Sequence, residues 1–214
     1  MFDLSGGGVN LTAMSSAAPM LDMQGTGFAI HTGWAEPNDG ILVLEQPAHD
    51  GTPTITEMFG GAGAEGFAAL AQYDSNSDGV IDVNDSVYAQ LRMWVDANSN
   101  GAVDPGELET LQQAGVASIN LASTPQSNDT QNGNTIAATG TFTFANGATG
   151  HVDQVDFNVD TYHSHYLGDS SVSAAAAAFR QRSCSPAPFM HATRGAMPGP
   201  HAVGRRLVLQ PMRV

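Results

Sequence analysis

The sequence contains two acidic twelve-residue segments that follow one ligand pattern and start 22 residues apart, at residues 74–85 and 96–107. A calcium loop of the helix–loop–helix type takes oxygen ligands from positions 1, 3, 5, 7, 9 and 12, with glycine at position 6 for its sharp turn. Both segments fill every position, with Gly79 and Gly101 at the turns. The predicted Ca²⁺ ligands, with position 7 supplying a backbone carbonyl, are Asp74, Asn76, Asp78, Val80, Asp82 and Asp85 in the first segment and Asp96, Asn98, Asn100, Ala102, Asp104 and Glu107 in the second.

The spacing suits calcium because alternate residues of a tightly turned loop can direct their oxygens inward to a hard cation. An alternative interpretation is a pair of Asp/Asn/Gly turns whose side chains bond only their own backbone. The repetition of the complete pattern favours ion binding. Position 12 is Asp85 in the first segment and Glu107 in the second. Since aspartate is shorter and less able to bind an ion through both oxygens, the first site is predicted to be the weaker one.

The apolar spacing around these segments predicts the order helix, loop, helix, loop, helix. Residues 64–73 form an apolar helical face before the first loop, and Val87, Leu91 and Trp94 recur at helical intervals between the loops. A third helix is predicted to start near Pro105, because the first turn of a helix tolerates proline.

Outside these segments and helices, the sequence predicts β-strands. Residues 41–44 form an apolar run, residues 116–121 alternate, and Asn146-Gly147 is a hairpin signal. Ile81 and Val103, at position 8 of the two loops, are predicted to pair as a short bridge. The predicted fold class is therefore α+β, with paired EF-hand-like helix–loop–helix calcium sites packed against a small antiparallel β-sheet.

Charge divides the chain into an acidic module, residues 1–168, and an Ala/Pro/Arg-rich tail, residues 169–214, which is predicted to be disordered. All 21 acidic residues lie at or before Asp169, six of the seven arginines lie from Arg180 onward, and there is no lysine. An acidic body repels phosphate backbones, so no nucleic-acid partner is predicted. No apolar stretch approaches the roughly 20 residues of a membrane span, and no N-terminal secretory signal is expected.

The body also resembles the calcium-binding region of large secreted bacterial RTX-type proteins, including the self-processing module of the iron-regulated ones. The matching residues are Phe28, Thr32–Trp34, Asp39–Leu44, Glu57–Gly60, Gly66–Leu70, Asp74–Gly79, Leu91–Asn98 and Gly133–Ala137. The resemblance implies an extracellular module that folds when it binds calcium.

In self-processing members, calcium triggers cleavage of an Asp-Pro bond ahead of the module, and the new aspartyl end can be joined to a lysine. This sequence has no lysine, and its one Asp-Pro pair, Asp104-Pro105, lies inside the second loop. The expected function is therefore calcium binding without catalysis, in a secreted protein that uses no N-terminal signal. Two alternatives stay open: calcium-triggered Asp-Pro autoprocessing, and a dockerin-like module that binds a protein partner, because paired loops with Asp at position 12 resemble dockerins.

Overall fold

The computed structural model describes most of the acidic body, in segments that lie within one compact unit, Met1–Asp169. No helix in this part of the chain is long and apolar enough to cross a membrane. The predicted tail, 169–214, falls outside the described residues, so its boundary and its disorder stay predictions. The described residues are 1–22, 27–45, 53, 55–60, 65–127 and 129–166.

Short strands joined by tight turns make up most of the described chain. Its one α-helix, α1, spans Gly66–Ala71, and a 3-10 turn spans Tyr88–Gln90. The strands are β1 (Phe2–Asp3), β2 (Leu11–Thr12), β3 (Met20–Leu21), β4 (Phe28–His31), β5 (Trp34–Ala35), β6 (Asp39–Leu44), β7 (Val80–Ile81), β8 (Leu91–Trp94), β9 (Leu108–Thr110), β10 (Val116–Asn120), β11 (Thr124–Pro125), β12 (Thr130–Gln131), β13 (Asn134–Phe144), β14 (Thr149–Asp156) and β15 (His165–Tyr166).

Ten of these strands form one antiparallel sheet in the order β7-β10-β13-β14-β1-β6-β8-β9, with β11 and β12 also paired to β13. The β13–β14 hairpin turns at Asn146-Gly147, where the Gly147 N–H donates to the Phe144 carbonyl at 2.8 Å. Gly147 has φ +84°, a backbone region open to glycine because it lacks a Cβ atom. The hairpin and the strands predicted at 41–44 and 116–121 are confirmed.

Strands β6 and β8 lie between two apolar clusters. Side chains alternate across a strand, so Leu42 of β6 and Leu91 and Met93 of β8 enter one cluster, while Trp94 enters the other. Both faces of these strands are therefore buried. The large core comprises Phe2, Leu42, Phe67, Leu70, Ile81, Val87, Leu91, Met93, Leu111, Val116, Ile119, Ala138, Phe142 and Val152. The small core comprises Leu21, Trp34, Ala35, Ile41, Val43 and Trp94.

The predicted α+β class with helix–loop–helix sites is wrong, because the described chain is almost entirely β. Only the helix before the first loop is present, as α1. The stripe of Val87, Leu91 and Trp94 runs through the 3-10 turn into β8, and the stretch after Pro105 forms β9. A strand buried on both faces lacks the apolar–polar alternation that identifies strands, and its apolar residues then also fit helical spacing.

The predicted bridge between Ile81 and Val103 is also wrong. Ile81 pairs with Ile119 of β10, so the first loop joins the far edge of the large sheet. Val103 packs against the small core instead. The two loops therefore attach to different parts of the module.

Candidate metal-binding loops

Loop one (residues 74–85) and loop two (residues 96–107) hold their first carboxylate in the same way. Asp74 accepts the backbone N–H groups of positions 5 and 6 at 3.3 and 2.9 Å. Asp96 accepts the same two positions at 3.1 and 2.7 Å. In each loop, each oxygen of the first carboxylate accepts one of these two amides, which bends the chain around that carboxylate.

The last carboxylates also match. Asp85 accepts the N–H groups of positions 2 and 9 at 2.8 and 3.1 Å, and Glu107 accepts the same positions at 3.0 and 2.9 Å. In loop one the Ser75 hydroxyl adds a third bond to Asp85 at 2.9 Å. Donation from the Asp82 N–H, and then from Ser75, lowers the pKa of the Asp85 carboxyl against the opposing effect of burial.

Between these ends, both loops follow one backbone path. The position-5 N–H donates to the position-3 side-chain oxygen, and the position-7 N–H to the position-5 oxygen, at 2.7 to 3.2 Å. At position 4, Ser77 and Ser99 have φ of +59° and +54°; at position 6, Gly79 and Gly101 have +85° and +72°. The two segments, with different residues at several positions, thus adopt one conformation.

The donor set suits a hard cation. Each loop offers carboxylate oxygens, asparagine amides and one backbone carbonyl, and neither contains His or Cys, which softer metals favour. The side-chain amide NH2 groups of the asparagines donate to loop carboxylates. Asn98 and Asn100 donate to Asp104 at 2.7 and 3.0 Å, and Asn76 donates to Asp78 at 2.8 Å. Within the described residues, no three His, Cys, Asp or Glu side chains are grouped closely enough to form a metal cluster by themselves.

Loop two is embedded in the protein. It closes the β8–β9 hairpin, where Trp94 pairs with Leu108. Asp96 is fully buried, and its Oδ2 accepts the Trp34 indole N–H at 2.7 Å. The Ser99 hydroxyl donates to the Ala35 carbonyl at 3.2 Å. Strand β5 therefore holds loop two at two points.

Loop one is more exposed. Asp74 is partly exposed, and Asp78 and Gly79 are exposed. Its sheet contacts come from β7 and from the Leu121 N–H, which donates to the Gly79 carbonyl at 3.0 Å. Neither of these contacts involves the side chain of a predicted ligand, so in loop one the geometry of the predicted ligands depends mainly on the loop itself.

A third carboxylate turn lies near the start of the sequence. Asp3 accepts the N–H groups of Gly7 and Gly8, four and five residues ahead, as the first residue of each loop does, and also those of Ser5 and Gly6. Burial acts to raise the pKa of Asp3, but these donors outweigh it and the pKa is lowered. The sequence supplies no further carboxylates here, so this turn satisfies its own charge and lacks a ligand set.

Asp39, beside Asp3 in the β1–β6 pair, is the contrasting case. It is buried; its Oδ2 accepts the Asn10 N–H at 2.8 Å, and its Oδ1 has no partner among the described residues. Burial raises its pKa to about 6, with a smaller contribution from Asp3. Sequence reasoning missed both Asp39 and the contact of Trp34 with Asp96, because each depends on residues distant in sequence.

These features define an acidic antiparallel β-sheet module with paired twelve-residue carboxylate loops. The chain belongs to the SPM domain family, which it matches over residues 1–158. It is similar to the iron-regulated protein FrpA of Neisseria meningitidis serogroup C, with 33% identity over 173 residues that cover 77% of this chain. The aligned part is 16% of the length of that relative. The similarity agrees with the resemblance to iron-regulated proteins and leaves the ligand of the loops to be tested.

Proposed function

We propose that this module binds one Ca²⁺ in each loop and that binding stabilises its fold. The main support is the shared conformation of the loops, in which equivalent hydrogen bonds orient positions 1, 3, 5 and 12. The same bonds also fit the alternative of self-contained turns. Two features favour the ion: the ligand pattern is complete twice, and Arg92, the one Lys or Arg among the described residues, is paired outside the loops.

Charge links the ion to folding. Loop one carries four carboxylates and loop two carries three, in a module whose residues 1–169 contain only one basic side chain of Lys or Arg, Arg92. Arg92 is paired with Glu45, outside both loops. Bound calcium would reduce the repulsion among the loop carboxylates, and a ligand that binds only the folded state stabilises it.

The test is a calorimetric calcium titration of the full chain and of Asp74→Ala and Asp96→Ala. We expect two sites in the parent and one in each variant, with loop one the weaker because Asp85 is shorter than Glu107. Asp129→Ala, which removes an exposed acid outside the loops, is the matched control and should retain both sites. Absence of binding heat in the parent, or a melting temperature independent of calcium, would refute the proposal.

The proposed role is non-catalytic and extracellular. In loop two the Asp104 carboxylate accepts the amide groups of Asn98 and Asn100, so the Asp104-Pro105 pair lies inside a hydrogen-bonded turn. Incubation with calcium, alone and behind an added Asp-Pro linker, followed by mass spectrometry, tests autoprocessing; a new fragment would establish it. Calcium-dependent capture of a purified protein would support the dockerin-like alternative.

A further inference from the structure

Loop two contains a contact that loop one lacks: an indole from another part of the chain donates to its first carboxylate. The Trp34 Nε1–H bonds to Asp96 Oδ2 at 2.7 Å, and both residues are fully buried. They are 62 positions apart in sequence. A hydrogen bond to a buried charged group is strong because water does not compete with it.

The bond distinguishes the two oxygens of Asp96. Oδ2 accepts both Trp34 and the Gly101 N–H, so its two lone pairs are engaged, whereas Oδ1 accepts only the Asn100 N–H. Oδ1 therefore keeps one lone pair for another partner. In loop one each oxygen of Asp74 accepts a single amide, so nothing distinguishes them.

Trp34 is itself held rigidly. Its backbone N–H donates to the Thr12 hydroxyl at 3.1 Å, and its ring packs 5.3 Å from Trp94 and 5.4 Å from Phe157, measured between centroids. An aromatic ring fixed on several sides has little rotational freedom, so its N–H points in a set direction before any ion arrives.

We propose that Trp34 is a positioning residue for loop two: it holds Asp96 Oδ2 so that Oδ1 is the oxygen presented to a divalent cation. This inference rests on the proposed calcium binding and deepens it. Partners that orient a metal ligand in this way typically change metal affinity by about 10- to 100-fold when removed. Loop two should therefore depend on the β5 segment for its affinity, and loop one should not.

The chain supplies a matched control. Trp94 lies in the same small core and is also fully buried, but its Nε1–H has no partner among the described residues. Trp34→Phe and Trp94→Phe each replace a buried indole with a smaller ring. Only Trp34→Phe removes a hydrogen bond to a loop.

The experiment measures calcium affinity in full-length chains that carry Asp74→Ala, so that binding heat reports loop two alone. Trp34→Phe should weaken this site by about 10-fold or more, and Trp94→Phe by less than about 3-fold. Equal affinities in the two variants would overturn the positioning role while leaving calcium binding intact. No binding heat in the unsubstituted chain would refute the proposed function itself and this inference with it.

A second measurement needs no core substitution. The chain has two tryptophans, so its NMR spectrum contains two indole N–H signals. The Trp34 indole N–H should exchange slowly with water, and its chemical shift should change as calcium binds loop two. Asp96→Asn should abolish that change. A Trp34 signal that does not respond to calcium while loop two binds it would also overturn the inference.

Discussion

Loop one and loop two have one internal structure and two different environments. Their carboxylates accept amides from the same positions, and residues 4 and 6 of each have positive φ. Loop two is packed under β5 with a buried Asp96, whereas Asp74 of loop one is partly exposed. The twelve-residue pattern therefore determines the conformation of the loop, while distant residues determine how firmly its first carboxylate is held.

The largest expected difference follows from removing the first carboxylate of each loop. Asp96→Ala leaves the Trp34 indole and two backbone N–H groups without their acceptor inside the protein, at about 1–3 kcal/mol for each buried donor. We expect a loss of roughly 3–5 kcal/mol in unfolding free energy, against about 1 kcal/mol for Asp74→Ala, whose two amides can reach water. Urea unfolding in calcium-free buffer measures both, without the added loss of a bound ion.

Asp129→Ala serves again as the control for loss of one negative charge. Equal losses in Asp74→Ala and Asp96→Ala would mean that the buried setting of loop two adds no stability.

The turn glycines provide the next comparison. Alanine at Gly79 or Gly101 places a side chain at positive φ, at about 1–2 kcal/mol. A Cβ atom at Gly101 would also lie 2.7 Å from the Pro19 Cβ, whereas nothing lies within 4 Å at Gly79. Such crowding typically adds about 1–3 kcal/mol.

Gly101→Ala should therefore destabilise the fold more than Gly79→Ala, as measured by thermal melting. Pro19→Gly combined with Gly101→Ala, compared with Pro19→Gly alone, is the control; it should recover part of the difference because glycine lacks the Cβ atom that crowds position 101. If Gly79→Ala is as destabilising as Gly101→Ala, the contact of loop two with Pro19 does not constrain it.

Asp39 gives a pH dependence that is independent of both loops. Its folded-state pKa is raised to about 6, above the ordinary value of 3.8, so the folded state holds this proton more tightly than the unfolded chain. The contribution to stability is complete below about pH 4 and is lost as the pH rises through about 6; of roughly 3 kcal/mol in all, roughly 2 kcal/mol is lost between pH 4.5 and 7.5. Asp39→Asn should remove this loss.

The difference in unfolding free energy between Asp39→Asn and its parent, measured at pH 4.5 and 7.5, isolates the effect from the other carboxylates. Asp39→Asn should gain stability relative to its parent between pH 4.5 and pH 7.5. The gain should be the same when the parent carries Asp74→Ala or Asp96→Ala. A change confined to one loop variant would show that Asp39 is coupled to that loop.

The sequence predicted the glycine turns inside the loops better than the elements around them. Local rules were sufficient for the turn glycines, the strand at Ile41–Leu44 and the hairpin at Asn146-Gly147, because neighbouring residues determine these features. The helix predicted between the loops is wrong because β8 contributes Leu91 and Met93 to one core and Trp94 to the other, which hides the alternation of a strand.

The surroundings of the loop carboxylates could not be predicted for a related reason. The pairing of Ile81 with Ile119 and the bond from Trp34 to Asp96 join residues 38 and 62 positions apart, and no spacing rule applies across such separations. The twelve predicted ligand positions come from the pattern alone, but the unequal burial of the two loops follows from the tertiary fold.

The smallest expected effect concerns position 2, where loop one has Ser75 and loop two has Ala97. The Ser75 hydroxyl donates to Asp85 at 2.9 Å, in addition to the backbone bond that both loops share. Ser75→Ala should cost about 0.5–1 kcal/mol, since the site is partly exposed and a hydrogen bond of this kind contributes little more. Chemical denaturation with tryptophan fluorescence is sensitive enough to detect it.

The reciprocal variant, Ala97→Ser, makes the comparison symmetrical. Glu107 already accepts the N–H groups of positions 2 and 9 in loop two, and a new hydroxyl at position 97 could add the third donor that Asp85 has in loop one. If Ser75→Ala destabilises and Ala97→Ser stabilises by similar amounts, the two loops have equivalent geometry around the carboxylate at position 12, and their differences arise outside the twelve residues. If the hydroxyl at position 2 stabilises neither loop, part of the difference between the loops lies inside them, in the length of the side chain at position 12.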